Sequence, residues 1–353
     1  LAKIEHAGIK VNLETLNDIR NEYEHELTTI DKRLKQIVSD VMGDTPINLN
    51  SADDRSMLFY SRKINNKETW TRIFNIGHEM RGATRKIKMR KKMSKELFAR
   101  TIRNNTEVIK KTTGYQCGTC EGVGRVRFKL KNGQLGKANR LCKNCNATGV
   151  VYSQSKQVAG LRIVPRNTKD VAQAGFKTDK TTLEEMLPAL SGAAKEFVEL
   201  YVRYSALRTY LSTFVEGMEN NVDENNFIHP EFMQCITATG RLSSRNPNFQ
   251  NMPRGSTFRI RKVVESRFEG GSIIEGDYSQ LEFRVAGFLA NDSQIYKDVE
   301  DGVDVHAYTA SVIGCDRQTA KADTFKPLYG GVTGTPDQQK YYRAFKAKYE
   351  GVT

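Results

Sequence analysis

Three groups of residues have types and spacings that could do chemistry. Cys117-x-x-Cys120 and Cys142-x-x-Cys145 are separated by 21 residues. Each pair forms a thiolate knuckle, its Gly and Asn neighbours permit tight turns, and the four sulfurs can complete a tetrahedral zinc site. A redox dithiol fits two pairs at this ribbon spacing poorly. The expected role is structural, a staple for an insertion too short to bury its own core, with direct nucleic-acid contact the lesser role. Cys235 and Cys315 stand apart and read as buried small apolar residues. The second group is the segment 272–284, SIIEGDYSQLEFR. An apolar strand there delivers Asp277 to its end, and a helix follows with Leu281, Val285, Phe288 and Leu289 on one face. Asp277 at such a corner is accessible to a hard cation, and capping the helix is the plainer role for it. The third group is Arg317, Lys321, Phe325 and Tyr329, spaced by four. Each step drifts about 40° around a helix. Two cations followed by two aromatics could hold a triphosphate at one end and stack a base at the other; a surface stripe with one buried Phe is the plainer alternative.

The elements that must position these residues follow from periodicity. Residues 11–42 read as a helix, on Leu13, Leu16, Ile19, Tyr23, Leu27, Ile30, Leu34 and Ile37. Pro46 closes it, and residues 48–51 look like a cap before a second helix carrying Met57, Leu58 and Tyr60. Residues 61–113 are basic, helical or irregular. Residues 114–152 are Gly- and Cys-rich with strand-like pieces at 125–130 and 149–152, and 153–183 read as a polar connection. A long helix is expected from Thr182 through Leu211. Strands at 258–266 and 272–278 precede a helix from Gln280, and 307–329 and 336–349 are again helical. No internal repeat is visible. The pattern is α+β, not an alternating βαβ series.

Charge narrows the function class. The chain has 353 residues, enough for two or three domains, with net charge +14 and pI near 9.4. That balance argues for a polyanionic partner, nucleic acid before an anionic membrane surface. The window 81–111 holds 12 Lys/Arg against Glu96 and Glu107, and 232–264 holds six basic residues and no acid. The rest of the chain is near −2. Taken alone, the first window fits a solvated helix face equally well. The second interleaves Arg241, Arg245, Arg254, Arg259, Arg261 and Lys262 with hydroxyls and amides, which suits phosphate, sugar and base-edge contacts. No apolar run approaches the ~20 residues that span a bilayer. Two Cys-x-x-Cys pairs among six cysteines favour a reducing, cytoplasmic setting (host cytoplasm for a viral protein) over a disulfide scaffold. The opening residues have no signal-peptide layout.

The segments TATGRLSSRNPNFQNMP (237–253) and DYSQLEFR (277–284), the His306 segment and the RxxxKxxxFxxxYG stripe occur in that order. Together they resemble the family A, DNA polymerase I-like, DNA polymerases, the phage members in particular. The N-terminal LAKIEHAGIKVN and NLNSADDRSMLF resemble the start of that family's polymerase domain, and the likeness covers residues 1–60 and about 185–353. The resemblance implies a right-hand architecture: thumb base at 1–60, a basic thumb insertion at 61–183 with a zinc-ribbon-like module at about 114–152, and thumb helices at 184–235. An incomplete antiparallel-sheet palm at 236–300 and partial helical fingers at 301–353 complete it. CGTCEGVG and CKNCNATG locally resemble the knuckles of the DnaJ-type cysteine-rich module, a likeness that nothing outside the knuckles supports.

Family roles follow residue by residue. Asp277, with the Tyr278 carbonyl, is implied to bind catalytic Mg²⁺, and Arg317 and Lys321 to hold the triphosphate. Gln280 and Glu282 line the dNTP pocket, Glu282 as the gate against a ribose 2′-hydroxyl. His306 assists, Phe325 packs on sugar and base, and Tyr329 sits beside the templating base. Arg241 is implied to enter the minor groove at the primer terminus, with Gln250 and Asn251 along the template. Phe at 325 resembles members that discriminate against dideoxynucleotides. Structural zinc falls to Cys117, Cys120, Cys142 and Cys145. The implied partners are primer–template DNA, dNTPs, a processivity factor and no membrane.

Three departures shape the expectation. The sequence ends before the family's second palm carboxylate, in a His-Asp-Glu hairpin, and no exonuclease precedes Leu1. A metal pair needs more than Asp277, so the chain by itself is expected to be inactive unless a separate polypeptide supplies the rest of palm and fingers. Pro327 interrupts the stripe and threatens the position of Tyr329. The insertion at 61–183 is expected to extend the grip on duplex DNA and raise processivity. The reading from another class is a non-catalytic, zinc-containing nucleic-acid-binding protein derived from a polymerase.

Overall fold

The computed structural model describes residues 1–76, 93–129, 135–253, 258–330 and 335–352. Residues 81–92 of the basic run, Arg254 and Leu130 thus lie outside the described residues. The chain divides into two compact units, Leu1–Gly271 and Ser272–Thr353.

In the first unit the helix Leu13–Met42 starts where Asn12 accepts from the Thr15 N–H and ends at Gly43, φ 72°. Of the expected stripe, Leu16, Ile19, Tyr23, Ile30, Leu34 and Ile37 are buried, Leu27 is half-buried, and Leu13 in the first turn is exposed. The helix Ala52–Tyr60 is capped by Ser51. The expected helix from Thr182 to Leu211 is divided. Lys180–Met186 gives way to the 3₁₀ turn Leu187–Ala189, then Gly192–Tyr210 runs into a π turn at Leu211–Val215. Pro188 is the cause of the first break, since it offers no N–H to the preceding turn. Aromatic rings knit these helices: Phe59 meets Phe197 edge-on at 5.4 Å, and Tyr210 stacks on Phe258 at 4.4 Å.

The stretch 153–183 is no surface connection. Strand Val150–Val158 pairs antiparallel with Lys110–Gln116. The chain then turns inward, burying Ala159, Leu161, Ile163, Val171 and Phe176 in the same core as Leu16 and Leu34. Leu161 and Ile163 donate to the carbonyls of Leu58 and Phe59. Gly160 must be glycine at φ +87°, because a Cβ there would lie 2.6 Å from the Leu58 oxygen. Trp70, wholly buried, donates to the Ala172 carbonyl at 2.9 Å and meets Phe176 edge-on. The polar-looking sequence hides this because its apolar residues are spaced irregularly, with no period to detect.

Two expected strands do not form. Residues 258–266 make the 3₁₀ turn Ile260–Val263 and pair only briefly, at Val11↔Val264. Residues 272–278 form no strand, and every residue from 271 to 279 is exposed. A strand needs a ladder for its N–H and C=O groups. All the sheets among the described residues are two-stranded. The palm sheet expected in 236–300 is represented there by Ser243–Arg245, paired with Glu231–Met233.

The second unit is helical. Leu281–Ala290, Ser293–Glu300, Val305–Ile313, Arg317–Thr324 and Pro336–Lys348 surround Phe283, Ile295, Val305, Tyr341, Phe345 and Tyr349. Asp298, buried, accepts from Tyr349 Oη and Lys348 Nζ, both at 2.6 Å. Burial opposes the Asp298 charge, but these bonds and one from Gln294 hold its carboxyl below the usual carboxylate range. The helix after Asp277 buries Phe283 and Gly287. The apolar face of Leu281, Val285, Phe288 and Leu289 is exposed, Leu289 by 78%.

Candidate functional site

The two Cys-x-x-Cys turns fold as near copies. Gly124 donates to Cys120 Sγ at 3.2 Å and Gly149 to Cys145 Sγ at 3.3 Å. The knuckles also exchange backbone bonds, Cys142 to the Gly124 carbonyl and Cys117 to the Gly149 carbonyl. Both glycines have positive φ, and a Cβ on either would lie about 2 Å from a carbonyl of the opposite knuckle. All four cysteines are buried, and their sulfurs lie within 4.8 Å of one another. Cys117 Sγ is 3.8 Å from Cys142 Sγ, and Cys120 Sγ is 3.6 Å from Cys145 Sγ. Tetrahedral bonds of ~2.3 Å to zinc place neighbouring sulfurs roughly 3.8 Å apart, so the donor set fits the ion. Burial resists a thiolate at Cys117, yet the Thr119 and Cys120 N–H groups, assisted by Cys120 and Asn144 side chains, hold it down to about 6. Burial pushes Cys120 up to about 11. Among the described residues this is the one cluster of three or more such side chains able to hold a metal. Val126 and Val151 pack against it. Cys235 is exposed and Cys315 half-buried, contrary to the buried apolar role expected of them.

Asp277 and Tyr278 stand on the exposed segment before the helix Leu281–Ala290, Tyr278 exposed by 78%. The helix N-cap is Gln280 in a left-handed conformation, not Asp277, and the Gln280 side chain donates to the Val303 carbonyl at 3.2 Å. Asp277 and the Tyr278 carbonyl fit one share of a cation's ligand set. Among the described residues no trio of metal-binding side chains forms around Asp277.

Several other residues expected at a nucleotide meet within the second unit. Tyr329 Oη donates to Glu282 Oε1. Phe325 stacks on Phe283 at 6.3 Å and receives the His306 ring edge-on at 5.3 Å. Arg317 Nε donates to Asp304 Oδ2 at 2.6 Å, while Asp304 Oδ1 caps the helix Val305–Ile313 by accepting from His306 and Ala307. The Arg317 guanidinium holds the Asp304 carboxyl below the usual carboxylate range. Burial, and then the Arg317 charge, lower the His306 imidazole, so the ring is neutral at neutral pH. His306 Nδ1 lies 3.0 Å from Thr324 Oγ1, which also reaches the Ala320 carbonyl at 2.9 Å. Lys321 is exposed on the same helix as Arg317. The stripe is not one helix: the α-helix ends at Thr324 and Lys326–Tyr329 is a 3₁₀ turn containing Pro327. Asp304 and Thr324 were not singled out in sequence, although an Asp just before an apolar helix signals a cap.

The acid-free segment lies in the first unit. Arg241 is exposed, and its carbonyl accepts from Thr237 Oγ1 at 2.7 Å. Gln250 and Asn251 lie on the 3₁₀ turn Phe249–Asn251, tied through Ser244 and Asn248. The segment's charge is partly neutralised from outside the window: Arg245 pairs with Glu231 and Arg259 with Glu22.

Comparison with known proteins adds three findings. The sequence model of DNA polymerase family A matches residues 149–346. The chain is 32% identical over 170 residues to DNA polymerase I of Streptococcus pneumoniae strain R6, covering 45% of this chain and 19% of that protein. It is 36% identical over 170 residues to the thermostable DNA polymerase I of Thermus filiformis, covering 44% and 20%. The chain thus spans about a fifth of the length of these curated relatives. Its fold is similar to the solved POL domain of Pol1 from M. smegmatis in complex with DNA primer-template and dNTP. The TM-score is 0.53 at 19% identity, over 99% of this chain and 46% of that one. No described helix is long and apolar enough to cross a membrane.

Proposed function

The chain belongs to DNA polymerase family A, and from that premise we propose that it supplies thumb, palm and partial fingers to a phage-type, DNA-directed DNA polymerase. The observation that carries this reading is the gathering of Glu282, His306, Arg317, Phe325 and Tyr329 within one small unit, where Tyr329 bonds to Glu282, His306 meets Phe325, and Arg317 bonds to the Asp304 cap of the His306 helix. Arg317 and Lys321 hold the dNTP triphosphate, with Arg317 exchanging its bond to Asp304 for phosphate oxygens. His306 keeps Phe325 in place by its edge-on contact. Phe325 packs on the sugar and base, and Gln280 positions the start of the helix that carries Glu282. Glu282, tied to Tyr329, closes the space a ribose 2′-hydroxyl would need, and Tyr329 stands by the templating base. Asp277 and the Tyr278 carbonyl offer oxygens to Mg²⁺, which would supply charge neutralisation at the transferred phosphate. A metal pair needs further carboxylates, and among the described residues no trio of metal-binding side chains forms around Asp277. The chain by itself is therefore expected to be inactive, with a separate polypeptide completing the site. Arg241, Gln250 and Asn251 contact the primer–template, and the insertion at 61–183 extends the grip on the duplex.

The insertion is stapled by zinc on Cys117, Cys120, Cys142 and Cys145. Bound there, the ion would supply a covalent-like link between the two knuckles. The chain's own part is to aim the Gly124 and Gly149 N–H groups at the sulfurs, which orients and stabilises the thiolates.

Primer extension with Mg²⁺ tests this reading, using the chain alone and the chain co-expressed with the polypeptide encoded immediately downstream. Extension only by the pair, abolished by Asp277→Ala, is the expected result. Inactivity of both preparations, with DNA binding intact, would instead favour a non-catalytic, zinc-containing nucleic-acid-binding protein.

A further inference from the structure

The first unit contains a cavity that neither the cysteine cluster nor the nucleotide residues use. It is an open groove of about 540 Å³ beside the helix Lys95–Asn105. Phe98 and Ile102, one turn apart, form its floor with Ala99, Val108, Val158 and Val164. Phe98 and Ile102 are anchored in the core, whereas Val164 is 77% and Val108 43% exposed, so the floor offers apolar surface to water. The rim is cationic: Arg62, Lys95, Arg103, Arg162 and Arg166 line it, and no Asp or Glu does. Arg166 is already satisfied by Asp170 at 2.8 Å and Glu185 at 2.9 Å. Lys95 and Arg103 pair with no acid among the described residues. Eight residues apart on one helix, they stand ~12 Å from each other along its axis.

We propose that this groove docks an acidic segment of a partner protein, whose apolar side chains enter the floor while its carboxylates meet Lys95 and Arg103. Charge complementarity selects this occupant. A phosphate backbone would use only the cationic rim and would leave the Phe, Ile, Val and Ala floor without a partner. The chain's own residues 77–92, just before Lys95 in sequence, carry seven Lys/Arg against one acid, the same sign as the rim. An amphipathic helix laid in a groove uses this combination of apolar anchors and flanking charge. The inference does not rest on the polymerase reading.

Fluorescence anisotropy of the full chain tests it with two labelled peptides. One is acidic, spans three helical turns and carries Leu and Phe at helical spacing; the other has those apolar residues replaced by Ser. Labelled duplex DNA is titrated in parallel. Saturable binding of the first peptide is expected, weakened roughly tenfold or more by the double variant Lys95→Glu/Arg103→Glu and by Val164→Asp. The Ser peptide should bind far more weakly, and Val164→Ser should leave DNA affinity unchanged. Val164 is exposed, so its variants should retain the wild-type melting curve, which is measured alongside. Failure of the acidic peptide to bind, equal binding of both peptides, or indifference to all the variants overturns the proposal. A fall in DNA affinity with Val164→Ser, at an unchanged melting curve, would make the groove a nucleic-acid contact and overturn it equally.

Discussion

The cysteine module and the Asp277 segment both carry candidate metal ligands, yet the chain treats them in opposite ways. The module gathers four buried ligands from two sequence-local turns, and each turn is fixed by N–H···S bonds and by glycines no other residue can replace. Asp277 stands on an exposed segment that forms no strand. Each knuckle closes its N–H···S bond within eight residues and exchanges backbone bonds with a second knuckle nearby in sequence, whereas a strand end acquires its geometry only when another strand binds beside it. The exposed apolar face of the following helix, with Phe288 73% and Leu289 78% exposed, is consistent with a surface awaiting cover.

The comparison breaks most readily at the metal. Structural zinc in small modules contributes about 10–16 kcal/mol of apparent folding free energy. Chelation, or Cys117→Ser, is expected to unfold residues 114–152 while the second unit stays folded. Hydrogen exchange resolved by segment checks this, and protection that persists in the metal-free module would break the contrast. Next in size, Phe283→Ala removes a wholly buried ring from the second unit and should cost about 3–5 kcal/mol, read as an earlier melt with zinc content unchanged. Asp298→Asn should cost about 2 kcal/mol by weakening the bonds to Lys348 and Tyr349. The Asp298 carboxyl is lowered on folding, so its stabilisation is present above the ordinary carboxylate range near ~4 and is lost as pH falls below it. A pH series of melts should show a smaller acid loss in Asp298→Asn than in the wild type, because lowered carboxylates such as Asp304 remain. Ala147 has φ 66° where the other knuckle has Gly122. Ala147→Gly should therefore raise module stability by about 0.5 kcal/mol, seen as a later loss of zinc in a chelator titration. The smallest effect is expected at Ile274, 94% exposed: Ile274→Ser should change stability by less than about 0.5 kcal/mol, and a larger loss in a denaturant melt would show that the segment is packed.

What could be read from the sequence follows the same division. The four cysteines, the stripe on Leu13–Met42 and the Ser51 cap depend on residues close in the chain, and each is found as its spacing predicts. The inward turn at 159–176 depends on contacts with residues a hundred positions away, such as Phe176 with Ser56 and Leu161 with Leu58. No local pattern announces those. The strands at 258–266 and 272–278 have the right composition, but composition cannot supply a partner. Among the site residues the order Glu282, His306, Arg317, Phe325, Tyr329 was legible. The bond from Arg317 to Asp304 was not, because it joins the cap of one helix to the first residue of the next.

The central claim is that this chain holds primer–template and nucleotide together through its own residues. Anisotropy of a labelled primer–template with a dideoxy-terminated primer, titrated with the chain, tests it most directly. The account predicts binding that weakens steeply with salt, and tightens with the next correct dNTP and Mg²⁺. The tightening should be lost in Arg317→Ala and Lys321→Ala. Absence of DNA binding, or binding indifferent to the templated dNTP and to both substitutions, would contradict it.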